Sequence, residues 1–297
     1  MTEKKHELNN VEKSLKIAIV LTSIFFVVEL IGSYISGSIS LLGDAGHMFR
    51  DVFAILITYY SIIIAKKLPA KTKTFGYHRI EIFGAFINGL ILLGMSIWIF
   101  IESYQRLNSP RSIQSTTMFA VALLGLIINL YIILKLHGSH DVNIKSAFIH
   151  VLTDAISSIA VILASILIYL TNQTIIDSIL GMAIGLFILY SAISILNESS
   201  RILLEFTPKD INFDEVIKDI ESVKGVDGIH DVHIWCLCSN INVMDAHVYT
   251  NENDMSKIEL IKREIKKRLE KYNIKHATLE FECEECIRSN KLKELCH

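Results

Sequence analysis

The sequence predicts an α-helical membrane protein: six transmembrane helices, then a small cytosolic α+β domain of ferredoxin-like type with the order α-β-β-α-β. Three observations predict it. Residues 16–205 are mostly apolar, whereas residues 206–297 have the charge of a soluble chain. The apolar part breaks into six segments of about the 20 residues that a span needs. Lys and Arg gather in alternate separators between those segments. The formal charge of −2 averages two unlike regions and says little about partners. No basic stripe marks a nucleic-acid surface, and no nucleic-acid partner is expected.

The elements follow in order. Residues 1–15, in the stretch MTEKKHELNNVEKSLK, form a polar cytosolic segment without the apolar core and cleavage site of a secretory signal. Residues 16–205 form a six-span membrane domain, with spans near 16–36, 40–65, 80–103, 115–136, 144–170 and 175–200. The second separator carries Lys66, Lys67, Lys71, Lys73 and Arg79, and the fourth carries Lys135 and Lys145. SYISGSIS and TNQT, the first and fifth, carry no charge, and the third has Arg106 and Arg111. By the positive-inside rule the second and fourth separators and both termini face the cytoplasm. Residues 206–297 then form a cytosolic domain.

HxxxD occurs twice, as His47 to Asp51 in the second span and His150 to Asp154 in the fifth. At about 3.6 residues per turn, each pair lies on one helix face. A carboxylate inside a span is costly and marks a functional site. One such pair also fits a hydrogen-bonded structural contact between helices. Two copies at matching depth favour a metal shell of two imidazoles and two carboxylates, which suits a tetrahedral divalent ion, zinc above all. The two spans run in opposite directions, so His47 should lie level with Asp154 and Asp51 with His150. The repeat hints at an inverted-repeat transporter with its site at the midplane. Asp44 lies one turn outward and could line an access path. Arg50 is read as pointing to another face and balancing a carboxylate. Glu29, Asn88 and Asp177 are read as interhelical or cavity-lining.

In the tail, NFDEVIKDIESV and SKIELIKREIKKRLEKY have helical periods, while GIHDVHIWCL, NVMDAHVYT and HATLEFE read as strands. Metal-capable residues cluster there: His233, His247, Glu282, Cys283 and Cys286. The Cys-x-x-Cys pair is half of a common zinc shell, though it also fits an idle reduced pair. No role is expected for Cys236, Cys238, Cys296 or His297. Cytosolic thiols stay reduced, so disulfides are not expected.

The motifs SLLGDAGHMFRDVFA, FGYHRIEIFGAFINGL, AFIHVLTDAISSIAV, GIHDVHIWCL and HATLEFE together resemble the cation diffusion facilitator family. The resemblance covers nearly the whole chain. It implies export of cytosolic divalent cations, zinc foremost and cadmium or cobalt with it, in exchange for protons by alternating access. It also implies a homodimer paired through its tails, in a bacterial-type plasma membrane. By resemblance the transport site falls on His47, Asp51, His150 and Asp154, and a tail zinc site on His233, His247 and Glu282. Cys283 and Cys286 resemble extra tail cysteines of some zinc exporters. Arg79 and Glu205 stand where the family often links the second loop to the end of span six. Two features depart from the family: only His78 stands in for a metal cluster after span two, and KLHGSHD replaces a longer His-rich loop. His137, His140 and Asp141 in that loop are read as a transient contact for the arriving ion.

Protons and metal compete for such ligands, because imidazole binds metal only when neutral and carboxylate only when ionised. Two rival readings remain at this point. An intramembrane zinc enzyme would need a general base near its metal, and no HExxH is present. A membrane-anchored sensor would bind metal in the tail without moving it.

Overall fold

The computed structural model describes residues 20–65, 71–136, 142–238 and 241–282. Within its helices, the side chains at 54–55, 58–63, 65, 135–136, 142–147 and 149–150 lie outside the description. Six helices come first: α1 Val20–Ser36, α2 Ile39–Ala65, α3 Arg79–Asn108, α4 Ser115–Leu136, α5 Val142–Thr171 and α6 Ile175–Leu203. Among the described residues, α3, α4, α5 and α6 contain stretches long and apolar enough to cross a membrane. The tail follows as α7 Phe213–Glu221, β1 Gly228–Cys238, β2 Ile241–Tyr249, α8 Met255–Leu269 and β3 Ile274–Glu282. This is a helical membrane domain followed by a small α+β domain in the expected order.

Two compact units divide the chain: Met1–Tyr59 with Ile87–Ile195, and Tyr60–Phe86 with Leu196–His297. In the first unit α2 has apolar neighbours on two sides. Leu41 packs with Met118 and Ala122 of α4 and with Val161, Ala164 and Ile168 of α5. Ile39 packs with Leu92 and Ile99 of α3 and with Ile188 and Ala192 of α6. Small residues permit these approaches, as between membrane helices generally. A Cβ on Gly125 would sit 2.4 Å from the Phe25 ring, and one on Gly43 would sit 2.8 Å from Ile184.

The start of α2 is fixed by a residue from far along the chain. The buried Asp177 carboxylate of α6 accepts from Ile39 N at 2.7 Å and Ser40 N at 3.1 Å. It also accepts from the hydroxyls of Ser38 at 2.6 Å and Ser40 at 2.5 Å. Ser38 Oγ in turn accepts from Leu41 N at 3.1 Å. Helix N-termini leave N–H groups without partners in the helix, and here a carboxylate and a serine satisfy them. Asp177, expected as interhelical or cavity-lining, is an interhelical cap.

In the second unit β2 is the central strand, antiparallel to β1 and parallel to β3. The parallel pair needs a crossover connection, which α8 supplies. Asn212 caps α7 and Asp254 caps α8 through their side-chain oxygens. Val216, Ile217 and Ile220 of α7 and Ile261, Ile265 and Leu269 of α8 are buried at helical spacing. They cover one face of the sheet, built from Ile229, Val232, Ile234, Met244, Ala246, Val248 and Ala277. The opposite face carries the polar alternation and, with it, the histidines.

Candidate metal centres

Within the first unit, one ligand atom each from His47, Asp51 and Asp154 lies within 4.8 Å of the others. His47 Nε2 is 3.6 Å from Asp154 Oδ1, with both residues buried. That places His47 level with Asp154, the level that opposed span directions require. His150 stands one turn before Asp154 in α5; its side chain lies outside the described residues. The His47 ring meets Phe187 of α6 edge-on, with centroids 5.5 Å apart.

A cavity of about 240 Å³ reaches this group, lined by Asp44, His47, Thr153, Ser157, Ile184 and Phe187 among others. Asp44 accepts from Ser157 Oγ at 2.5 Å and sits on the cavity wall. Sequence reasoning missed Ser157 and Phe187; no pattern in the chain marks them. Arg50 balances a carboxylate, as expected, but it does not point away from the motif. Its Nε donates to Asp51 Oδ1 at 3.0 Å, and its Nη1 donates to Ser191 Oγ at 2.6 Å.

In the second unit the structure gathers His230, His247 and Glu282, again with one ligand atom each within 4.8 Å of the others. His247 Nδ1 is 2.7 Å from Glu282 Oε1, and His230 Nε2 is 3.2 Å from Glu282 Oε2. Two nitrogens and a carboxylate, all partly exposed, fit three positions of a zinc shell. His233 is not in this group. Its Nε2 meets Asp231 Oδ1 at 3.2 Å, while Asp231 Oδ2 lies 3.6 Å from His247 Nε2. His233 is therefore tied to the group through one shared carboxylate.

The cause is a bulge between His230 and His233. In a regular strand, residues three apart face opposite sides. The bulge adds one residue, so Val232 stays in the core while both histidines face out. Asp231 takes up the irregularity with a left-handed φ of 49°. His230 then stands directly across from His247 in the ladder, whereas His233 stands across from Asp245.

Also in the second unit, Arg79 Nη2 donates to Glu205 Oε1, so the expected charge pair is in contact. Glu205 has a φ of 60° and closes α6, with Phe206 N donating to Arg201 O at 2.9 Å. That is the left-handed helix ending usually given to glycine. Cys283, Cys286, His137, His140 and Asp141 lie outside the described residues.

Among the described residues six helices come first, with His47, Asp51 and Asp154 close together, and a small α+β domain follows. The sequence matches the cation efflux transmembrane domain over residues 15–204 and the cation efflux protein cytoplasmic domain over residues 208–284. The chain belongs to this cation efflux family, the cation diffusion facilitators. It is 40% identical to the metal cation efflux system protein CzcD of Cupriavidus metallidurans, over 94% of this chain and 89% of that one. It is 32% identical to the cadmium, cobalt and zinc/H(+)-K(+) antiporter of Bacillus subtilis, over 92% and 89% of the two chains. The zinc transporter ZitB of Pectobacterium atrosepticum is 35% identical over 95% of this chain and 88% of its own. The protein is an integral membrane transporter for metal cation efflux, not an enzyme.

Proposed function

We propose that the protein exports divalent cations from the cytosol in exchange for protons, with Zn²⁺ the main cargo and Cd²⁺ or Co²⁺ possible companions. The transport domain is residues 16–205, and its site is His47, Asp51, His150 and Asp154. The observation that carries this reading is the convergence of His47, Asp51 and Asp154 beside a cavity among apolar helices. Nitrogen and oxygen donors in equal number suit zinc better than harder cations. Two desolvated carboxylates are reluctant to stay ionised together without a cation. Release of the cargo on the outer side therefore favours proton uptake by the same ligands, and alternating access returns those protons inward.

The tail, residues 206–297, is proposed to lie in the cytosol with both termini and to pair two copies as a homodimer in a bacterial-type plasma membrane. It binds zinc through His230, His247 and Glu282. His233 adjusts the site through Asp231, and Cys283 and Cys286 extend it. A zinc ion held there would supply a fixed positive charge that draws the three ligands together. Asp231 orients His247, and the sheet fixes the spacing of the two imidazoles. The Arg79–Glu205 pair anchors the turn before α3 to the end of α6.

The test is flux in liposomes reconstituted with the purified protein and loaded with a pH-sensitive dye. Zinc movement accompanied by opposite proton movement supports the proposal. Zinc movement without protons would make the protein a channel, and zinc binding without flux would make it a sensor.

A further inference from the structure

Arg50 is the only Lys or Arg in α2, and it directly precedes Asp51. Adjacent residues on a helix do not normally face each other. Here the side chain turns back so that its Nε lies 3.0 Å from Asp51 Oδ1. The far end of the guanidinium is held by Ser191 Oγ of α6 at 2.6 Å. Both charged side chains are largely buried, at 20% and 14% exposure. A guanidinium among apolar helices is costly unless it is paired, and it cannot lose its proton to escape that cost. The contact is also directional, because Arg presents a rigid fork of donors rather than a mobile point charge.

We propose that Arg50 is a tethered counter-cation of the transport site. It is a positioning residue that holds one oxygen of the Asp51 carboxylate and sets its positive charge against that of the arriving metal. The proposal rests on the reading of Asp51 as a cargo ligand. Two carboxylates and one guanidinium leave the empty site with one net negative charge, and a divalent cargo turns this to one net positive charge. Without Arg50 the same states would carry two negative charges and none. Arg50 thus weakens cargo binding and leaves one negative charge, rather than two, for the returning protons to neutralise. Both effects serve a transporter that must release its cargo and return. Ser191 sets how firmly the guanidinium is held, which links the charge pair on α2 to α6.

The test compares wild type with Arg50→Gln, Arg50→Lys, Ser191→Ala and Asp51→Asn as full-length proteins. Zinc transport in liposomes gives KM and maximal rate, and calorimetry in detergent gives the affinity, with the tail unchanged throughout. Removing a charge this close to a ligand is expected to lower KM and Kd about tenfold in Arg50→Gln. The maximal rate should fall severalfold at the same time, because release and return are slowed. Arg50→Lys should restore most of both parameters, and Ser191→Ala should shift both in the direction of Arg50→Gln by less. A simple folding defect would lower the rate without tightening binding. If Arg50→Gln binds zinc with unchanged or weaker affinity while Asp51→Asn abolishes transport, Arg50 is no counter-cation and the inference fails. If Arg50→Gln does not fold, Ser191→Ala decides: an unchanged KM overturns the proposal. If Asp51→Asn transports like wild type, the ligand assignment itself fails and takes the inference with it.

Discussion

His230 and His247 face each other across the β1–β2 ladder, with ring centroids 5.3 Å apart, and Glu282 at the end of β3 reaches both. Each residue comes from a different strand of one sheet. A ligand that binds this folded trio stabilises the fold that forms it, by about 2.7 kcal/mol at a hundredfold excess over Kd.

Zinc is therefore expected to raise the melting temperature of the intact protein by several degrees. His230→Ala and His247→Ala should each remove the part of that rise that the tail site supplies. His233→Ala should keep most of it, because His233 touches the group only through Asp231. Thermal melts with and without zinc check this. A rise lost in His233→Ala but kept in His230→Ala would reverse the ligand assignment.

Replacing His47 by Asp exchanges a nitrogen donor for an oxygen donor beside Asp154. The ranking of transported metals should shift toward Mn²⁺, which prefers carboxylate. Competition transport with Zn²⁺, Cd²⁺ and Mn²⁺ measures it. An unchanged ranking would mean that the donor at position 47 does not set selectivity.

Asp177→Ala removes the acceptor of two backbone N–H groups and two hydroxyls at the start of α2. Leaving such buried donors unpaired is expected to cost about 3 kcal/mol. Asp177→Asn keeps one acceptor oxygen and should cost roughly half as much. Melting of the detergent-solubilised variants tests the order. Equal melting of Asp177→Ala and wild type would show that the cap contributes nothing.

Burial pushes the Cys236 thiol above its ordinary range, with the neighbouring Cys238 adding to the shift. Both cysteines are buried. Only the thiolate reacts with alkylating agents, so Cys236 should label at least about tenfold more slowly than a free thiol near pH 8. The gap should close only at pH values above those at which a free thiol ionises. Mass spectrometry after timed alkylation, folded and in denaturant, reads both states. Equal labelling rates would contradict the burial.

The chain displays local signals well and distant ones poorly. HxxxD in two apolar segments was legible because helical spacing alone puts its members on one face. The helices and strands of the tail were legible from period, with caps at Asn212 and Asp254. His233 was named by resemblance, and the ladder register that sets His230 across from His247 depends on a bulge that the sequence does not display. That Arg50 balances a carboxylate was legible, but that the carboxylate is its neighbour Asp51 was hidden, because helical geometry sends neighbours apart. Ser191, on a helix more than a hundred residues away, holds the far end of the guanidinium. The capping role of Asp177 has the same origin: its partners Ser38, Ile39 and Ser40 are brought near by tertiary packing alone.

The most direct measurement of the transport-site assignment is zinc flux by Asp154→Ala in liposomes, with folding verified by its melting curve and by zinc binding at the tail. Removing one carboxylate from the His47, Asp51, Asp154 group takes away a ligand and one of two negative charges. The expected result is a folded protein with flux reduced at least about a hundredfold, which corresponds to a loss of ~2.7 kcal/mol. Flux close to wild type in that folded variant would contradict the assignment and move the cargo path elsewhere in the helices.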